Sequence, residues 1–178
     1  QVVEPKLETA LKSTILVLEE VTDSVSKKVR KQYEENPYPR WVNLGISLNS
    51  STISNLAKKH KIRIVNPCIA EVEQPQILVA GCGTGQHSIG TAARFKNSKV
   101  LAVDLSISSL AYAKRKTKEL CIPNIDYMQA DILSLGKLDR QYDIIESIGV
   151  LHHTPNPTKI IKNIYKILKH KGSFSLTV

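Results

Sequence analysis

The chain has 178 residues and a formal net charge of +9, and 42% of its residues are hydrophobic and 23% charged. These values suit one globular domain with some N-terminal decoration, and no apolar run approaches the roughly 20 residues that span a bilayer. The N-terminus does not resemble a signal peptide, so we expect no membrane association. The basic residues are spread over both halves in small clusters that suit solvated helix faces, so charge alone does not establish a nucleic-acid partner.

The three cysteines, Cys68, Cys82 and Cys121, are far apart in the chain and show no metal-ligand spacing. An odd number of separated cysteines predicts buried or loop thiols rather than disulfides or zinc ligands. Because free thiols persist in reducing compartments, we expect a cytoplasmic protein and no bound metal.

Apolar residues at intervals of three and four predict helical structure over residues 5–31. Thr22-Asp23-Ser24 could cap a second helix inside this stretch, so the pattern allows either one broken helix or two. A helical stripe of this kind usually forms a packing surface.

Residues 32–41, QYEENPYPRW, concentrate aromatic residues and prolines. Pro37 and Pro39 restrict the backbone and predict an extended loop. Tyr38 and Trp41 could cover a ligand, or the loop could brace an N-terminal helix against the core, and the sequence does not decide between these roles. A short basic helix over residues 51–60, with Ser51 as its N-cap, and a linker over residues 61–75 are predicted to follow.

From residue 76 onward, short apolar runs alternate with helical patterns. The predicted strands are residues 76–80, 99–103, 125–129, 142–147 and 173–178, and the predicted helices are residues 86–95, 107–120 and 158–169. Such alternation predicts an α/β fold with a Rossmann-like, doubly wound and mostly parallel sheet. We therefore divide the chain into an N-terminal helical extension, residues 1–66, and a ligand-binding domain, residues 67–178.

The first of these strands leads directly into a glycine-rich stretch, GCGTG, residues 81–85. A strand, a glycine turn and a helix N-terminus together make a site at which backbone N–H groups face a ligand. A dinucleotide fingerprint would place its third glycine where this chain has Gln86, and a phosphate loop would end in Gly-Lys-Ser or Gly-Lys-Thr. The pattern therefore indicates a nucleoside-binding loop, or a glycine turn without a ligand.

Acidic residues follow the next two strands, at the edge of the sheet where ligands bind in such folds. Asp104 stands nineteen positions after Gly85 and is the residue type that accepts hydrogen bonds from a ribose diol. The alternative is that Asp104 caps the following helix, although Ser106 could serve as that cap. Asp131 could accept from an exocyclic amine while Ile132 packs on a purine, or it could be an ordinary turn aspartate.

The segment ESIGVLHH, residues 146–153, follows the fourth strand of the domain and would lie over the reactive end of a ligand. His152 or His153 could act as a general base, because a neutral imidazole titrates near physiological pH. Alternatively, these histidines only fix the loop or contact the ligand.

Four of these stretches together, GCGTG, LAVDLS, MQADIL and DIIESIGVLHH, resemble motifs one to four of the class I S-adenosylmethionine-dependent methyltransferases. The resemblance extends from about residue 76 to the end of the chain. Residues 33–41, YEENPYPRW, also resemble the segment that precedes the methyltransferase domain in bacterial tetratricopeptide-repeat methyltransferases. No tetratricopeptide repeat is evident in residues 1–66.

The resemblance implies S-adenosylmethionine as the cofactor and direct transfer of its sulfonium methyl group to a nucleophile. It also implies which parts of the chain would contact each part of the cofactor. The residues concerned are, for the methionine and ribose, Gly81, Cys82, Gly83 and Gly85; for the ribose hydroxyls, Asp104; for the adenine, Leu105, Asp131 and Ile132; and beneath the sulfonium, Ser147, Ile148 and Gly149.

The chain departs from the family pattern in two places. The family often has an acidic residue just before the first glycine, where this chain has Ala80, so the amino group of the cofactor would need another partner, such as a backbone carbonyl near Gly81 or Ser147. The class I fold has seven strands, and the fifth predicted strand ends this chain, so we expect a chain truncated at both ends. The methyl acceptor, a small molecule or a protein, is not predicted.

Two other function classes are compatible with part of the sequence. An NAD-dependent Rossmann oxidoreductase shares the strand-glycine-helix start and an acid at the position of Asp104, but Gln86 and the Asp131 motif argue against it. A non-catalytic cofactor-binding or scaffold module is the second alternative.

Overall fold

The computed structural model describes residues 3–45, 49–64, 66–150 and 156–177. Its helices are α1 (Val3–Lys12), α2 (Ser24–Glu35), α3 (Ile53–Lys59), α4 (Gln86–Arg94), α5 (Ile107–Glu119) and α6 (Pro157–Ile167), with 3₁₀ helices at Pro67–Glu71 and Ile132–Lys137. Its strands are β1 (Leu16–Val17), β2 (Gln76–Ala80), β3 (Lys99–Asp104), β4 (Ile125–Gln129), β5 (Tyr142–Ile148) and β6 (Leu168–Thr177). None of the helices in these ranges is long and apolar enough to cross a membrane.

The described strands form one parallel sheet in the order β1-β4-β3-β2-β5-β6. A central parallel strand is covered on both faces and must be apolar on both. The central β2 meets this requirement, because Ile77 and Val79 enter one core cluster and Leu78 and Ala80 enter the other. The α/β fold with a mostly parallel sheet is therefore confirmed.

Helices cover both faces of the sheet, as the predicted alternation of elements requires. Ile89 of α4 and Leu110 of α5 are fully buried on one face, and Ile160 and Ile164 of α6 are buried on the other. The predicted helices match α4, α5 and α6 to within two residues at each end. The predicted start of β6 was five residues too late, because KHKG, residues 169–172, carries the polar residues and glycine that usually mark a turn.

The N-terminal segment forms two helices with a short strand between them. Asp23 is the N-cap of α2, and its carboxylate accepts hydrogen bonds from the backbone N–H groups of Val25 and Ser26. Leu16 and Val17 pair with β4 and form an outer strand. A two-residue strand is too short to give a recognisable alternation, so β1 was not predicted.

Charged hydrogen bonds fasten α1 and α2 to α5. Nε of the buried Arg115 donates to Glu8 of α1 at 3.1 Å. Glu34, near the end of α2, accepts from the hydroxyl of Ser106 at 3.0 Å and from the backbone N–H of Ser108 at 3.1 Å. Burial works to raise the pKa of Glu34, but the hydrogen bonds from Ser108 and Ser106 outweigh it and hold the pKa below its ordinary value.

Three local predictions in this part of the chain were wrong. The expected loop over residues 32–41 begins as the last turn of α2, because Pro37 restricts only the backbone immediately before it. The N-cap of α3 is Thr52, whose hydroxyl accepts from a backbone N–H at 3.2 Å, whereas the backbone of Ser51 pairs in parallel with Phe95. The expected linker over residues 61–75 contains a 3₁₀ helix.

The aromatic and proline-rich loop packs against the glycine stretch. The indole Nε1 of the buried Trp41 donates to the carbonyl of Thr84 at 3.1 Å, and the Thr84 hydroxyl donates to the carbonyl of Pro39 at 2.6 Å. The hydroxyl of Tyr112 on α5 donates to the carbonyl of Trp41. Trp41 is therefore a brace, while Tyr38 is exposed.

Candidate cofactor site

A cavity of about 450 Å³ lies at the carboxyl ends of the central strands. This volume falls in the range of small-molecule sites. Its walls come from the glycine stretch, from the ends of β3, β4 and β5, and from α2. The described residues that line it are Val25, Ser26, Val29, Tyr33, Tyr38, Pro39, Val79, Gly81, Cys82, Gly83, Thr84, Gln86, His87, Val103, Asp104, Leu105, Ala130, Asp131, Ile132, Ile148, Gly149 and Val150.

The glycine stretch turns sharply across the end of β3. The backbone N–H groups of Gly81 and Cys82 both donate to the carbonyl of Val103, at 2.8 and 2.9 Å. Gly81 has φ +78°, and a Cβ built on it would lie 2.3 Å from a methyl group of Val150, so a larger residue would be strained and would have to displace that side chain. The turn therefore brings bare backbone to the cavity wall.

Cys82 also lines the cavity, and its thiol is a packing group rather than a nucleophile. Burial raises the pKa of Cys82 well above its ordinary value, and the neighbouring charge of Asp104 adds to this. Of the free cysteines, Cys82 is buried, and Cys68 and Cys121 are exposed.

Asp104 ends β3 and connects the glycine stretch to α5. Its Oδ2 accepts from the backbone N–H of Gly83 at 2.8 Å, and its Oδ1 accepts from the backbone N–H of Ser106 at 3.0 Å. Ser106 is the N-cap of α5, as the sequence suggested, so Asp104 is not used for capping. Burial raises the pKa of Asp104, and the backbone donors only partly offset it. A carboxylate has about four acceptor positions, so these backbone donors do not saturate it.

Asp131 lies beyond the end of β4 and is 96% buried. Its relative exposure is 4%, and its Oδ1 accepts from the backbone N–H of Leu133 at 2.9 Å, which caps the following 3₁₀ helix. The side chain thus has the turn role that the sequence left open and also contributes to the cavity wall, next to Ile132.

The far end of the cavity is formed after β5. Gly149 lines it, but Gly85 and Ser147 are not among the described lining residues. A Cβ on Gly85 would point at Ala113 of α5, and Ser147 is fully buried with no hydrogen-bond partner for its hydroxyl among the described residues. His152 and His153 lie outside the described residues.

Sequence reasoning missed one whole wall of the cavity. α2 contributes Val25, Ser26, Val29 and Tyr33 to it. The hydrophobic stripe of the N-terminal helices was recognised, but a periodic pattern does not tell which element a helix packs on. Gln86 and His87, at the start of α4, were also missed as lining residues because they follow the glycine motif rather than belong to it.

A cluster of polar side chains around the buried Glu146 joins α4 to β5 beside this cavity. Oε2 of Glu146 lies 2.8 Å from Nε2 of His87 and accepts from the hydroxyl of Thr91 at 2.6 Å, while its Oε1 accepts from Arg94 at 3.2 Å. Glu146 is buried. Burial works to raise its pKa, but the hydrogen bonds from His87 and Thr91 outweigh it, so the pKa of Glu146 lies below its ordinary value.

The Glu146→Gln variant is expected to lose less stability in acid than the wild type. Because the pKa of Glu146 is lowered by folding, its charge adds stability above the ordinary glutamate pKa, and this stability disappears as the pH falls through the lowered folded value. Urea unfolding at several pH values should show a steeper fall in unfolding free energy for the wild type below the ordinary glutamate range. The exposed Glu73→Gln is the matched control, and equal slopes for Glu146→Gln and wild type would contradict the prediction.

Comparison with known proteins places the chain in a family. A family model described as "Methyltransferase domain" matches residues 77–172, which is more than half of the chain. The chain is a member of the class I S-adenosylmethionine-dependent methyltransferases. The matched range includes the glycine stretch, Asp104 and Asp131, which also belong to the motif resemblance.

Relatives of this methyltransferase domain agree with the match. A malonyl-[acyl-carrier protein] O-methyltransferase from Ilyobacter polytropus is 27% identical over 76% of this chain and 51% of its own length. A ubiquinone biosynthesis O-methyltransferase from Coxiella burnetii is 31% identical over 65% of this chain and 51% of its own length. This chain thus spans about half the length of these two relatives.

A solved structure shares the fold of this methyltransferase domain. The magnesium protoporphyrin IX methyltransferase from Synechocystis, solved with bound S-adenosylmethionine, aligns with a TM-score of 0.57 and 20% identity. The alignment covers 85% of this chain and 75% of that one. At this identity the likeness concerns the fold.

Proposed function

We propose that this chain binds S-adenosylmethionine in the cavity and transfers its sulfonium methyl group directly to a nucleophile. The observation that carries the proposal is the carboxylate of Asp104, which lies at the end of β3, lines the cavity and accepts a hydrogen bond from the glycine stretch on one of its oxygens. A nucleoside ribose offers two adjacent hydroxyl donors, which such a carboxylate accepts.

The sheet order supports an elongated ligand. Asp131 follows β4, Asp104 ends β3, Gly81 follows β2 and Gly149 follows β5, and these strands are neighbours in that order. With strands about 4.8 Å apart, the four positions span roughly 14 Å. An adenine over β4, a ribose over β3 and an amino-acid tail over β2 and β5 would occupy this length.

Within this proposal the predicted residues that line the cavity keep their roles. Asp104 binds the ribose hydroxyls, and Asp131 accepts from the adenine amine between Leu105 and Ile132. Residues 1–66 supply a wall through α2, and residues 67–178 supply the motifs. The remaining residues of the proposed site are Gly81, Cys82 and Gly83 for the methionine and ribose and Ile148 and Gly149 beneath the sulfonium. Gly85 and Ser147, which are not among the residues that line the cavity, and His152 and His153 as a general base stay predictions from the sequence.

For this reaction the main task of the chain is to align the methyl donor with the acceptor. A sulfonium methyl group is already activated, so the residues must hold donor and acceptor in line and exclude water. The acceptor in this proposal is a small molecule or a protein, since only the net charge favours nucleic acid. The names of two relatives, both O-methyltransferases, support an oxygen nucleophile.

The proposal also includes the cellular location of the protein. Three free thiols support a reducing, cytoplasmic location. The likeness of residues 33–41 to tetratricopeptide-repeat methyltransferases stays a prediction.

Calorimetric titration with S-adenosylmethionine and with NAD tests the proposal against its main alternative. We expect binding of the first and none of the second, because Gln86 removes the third glycine of a dinucleotide site. Release of S-adenosylhomocysteine in the presence of cell extract would separate an enzyme from a cofactor-binding scaffold. Binding of NAD alone, or of neither compound, would refute the proposal.

A further inference from the structure

The cluster of His87 and Glu146 connects the cavity to a buried carboxylate. His87 lies in the first turn of α4 and lines the cavity, with its side chain 33% exposed, while the side chain of Glu146 is 9% exposed. Only one ring nitrogen of His87 is engaged, since Nε2 faces Glu146 and Nδ1 has no partner among the described residues. A neutral imidazole that donates through Nε2 carries its lone pair on Nδ1.

The position of this pair along the sheet places it at one end of the cavity. His87 is on α4, which follows β2, and Glu146 belongs to β5. In the sheet order β4-β3-β2-β5, the pair is therefore on the side of β2 and β5. Asp104 and Asp131, the two carboxylates assigned to the nucleoside, are at the ends of those other strands. The pair therefore lies at the end assigned to the amino-acid tail and the sulfonium, next to which a methyl acceptor must bind to reach the methyl group.

The carboxylate of Glu146 is held in place by several side chains. Three side chains of α4, those of His87, Thr91 and Arg94, contact its two oxygens. A fixed and ionised carboxylate orients the imidazole and stabilises an imidazolium once it forms, as in other nucleophile-activating pairs. The other described titratable groups that line the cavity are those of Tyr33, Tyr38, Cys82, Asp104 and Asp131.

We propose that His87, held by Glu146, accepts the proton of the methyl acceptor during transfer. This rests on the methyl-transfer function proposed above. The acceptor's lone pair forms a bond to the methyl carbon, the carbon–sulfur bond breaks, and its electron pair remains on sulfur. The acceptor's proton passes to Nδ1 of His87, and Glu146 balances the new positive charge. The acceptor is accordingly a protic group, such as a hydroxyl or a carboxylic acid.

The first arm of the test compares four proteins: wild type, His87→Gln, Glu146→Gln and the control His60→Gln, which changes an exposed histidine outside the site. Glutamine at position 87 can still donate to Glu146 but accepts no proton. Affinities for S-adenosylmethionine and S-adenosylhomocysteine are measured by calorimetry, and transfer of a radiolabelled methyl group into cell extract is followed across pH.

We expect His87→Gln to bind the cofactor within about threefold of wild type and to lose roughly 100-fold or more in transfer rate. The rise of the wild-type rate with pH should be lost in His87→Gln and displaced in Glu146→Gln, while His60→Gln should match wild type. An unchanged pH profile in His87→Gln, or a rate loss equal to its loss of cofactor affinity, would overturn the proposal. The latter result would make His87 a cofactor contact, and the same variants of His152 and His153 identify the base in its place.

A second arm does not depend on turnover. In wild type labelled with ¹⁵N-histidine and saturated with S-adenosylhomocysteine, His87 is assigned by the loss of its signals in His87→Gln. A base requires Nδ1 to be unprotonated at mildly alkaline pH, with the proton on Nε2. A proton on Nδ1 under these conditions would overturn the proposal. Failure of the wild type to bind S-adenosylmethionine or to transfer label would instead refute the proposed function, and the role of His87 with it. A proton on Nδ1 in a wild type that does transfer label would refute the role of His87 alone.

Discussion

The Gly85→Ala variant is expected to lose about 3 kcal/mol of unfolding free energy. Gly85 has φ +87°, a conformation that strains any L-residue, and its missing side chain leaves room for α5. A Cβ there would lie 2.6 Å from the Cβ and 3.2 Å from the Cα of Ala113. The backbone of α5 cannot step aside as the end of a flexible side chain can, so strain and overpacking add. Equilibrium urea unfolding measures the loss.

Gly45→Ala separates the two causes. Gly45 has φ +59°, and a Cβ built on it would meet no atom of the described residues within 4 Å, so this variant carries the strain without the collision. We expect it to lose about 1 kcal/mol. Equal losses of unfolding free energy in the two variants would show that the close approach of α5 is not the reason for a glycine at position 85. The result also decides whether Gly85 serves packing in addition to its proposed place near the cofactor.

The Asp104→Asn variant is expected to bind S-adenosylmethionine roughly 100-fold more weakly, a loss of about 3 kcal/mol. Asparagine has one acceptor oxygen and an NH₂ group that only donates, so it cannot accept from Gly83, Ser106 and two ribose hydroxyls together. Calorimetry of the free chain measures the loss. Asp126→Asn, on the exposed side of β4, is the matched control and should bind as wild type does.

The same variant should remove a pH dependence. Because burial raises the pKa of Asp104, its acceptor form is lost at a higher pH than for an ordinary aspartate as the solution is acidified. Wild-type affinity should therefore begin to fall above the usual aspartate range, while the affinity of Asp104→Asn should not follow this curve. Equal affinities of Asp104→Asn and wild type at neutral pH would refute the ribose assignment.

The fold could be predicted where local patterns determine it. The apolar run of β2 and the helical stripes of α4, α5 and α6 depend on neighbours in the chain, so their bounds were predicted closely. β1 and the start of β6 were not predicted, since their pairing with β4 and β5 is determined by tertiary packing rather than by sequence period.

The residues of the candidate site also fall into those that could be predicted from the sequence and those that could not. Asp104 and Asp131 follow directly from the ends of strands, a position that topology alone makes important. His87 and Glu146 are 59 positions apart, and neither residue carries a signal that points to the other. Val29 and Tyr33 belong to the hydrophobic stripe of α2, which ordinary helix packing explains equally well. Their place in the cavity wall could therefore be recognised only from the three-dimensional structure.

The brace at Trp41 gives the molecule an intrinsic optical probe. Trp41 is the single tryptophan of the chain, it is buried, and its indole N–H is bonded to the glycine turn through the carbonyl of Thr84. Emission from a buried indole depends on its polarity and hydrogen bonding, and here both are determined where the proline-rich loop meets the cavity wall. The fluorescence of this one residue therefore reports, without any label, whether the proline-rich loop is packed against the glycine stretch.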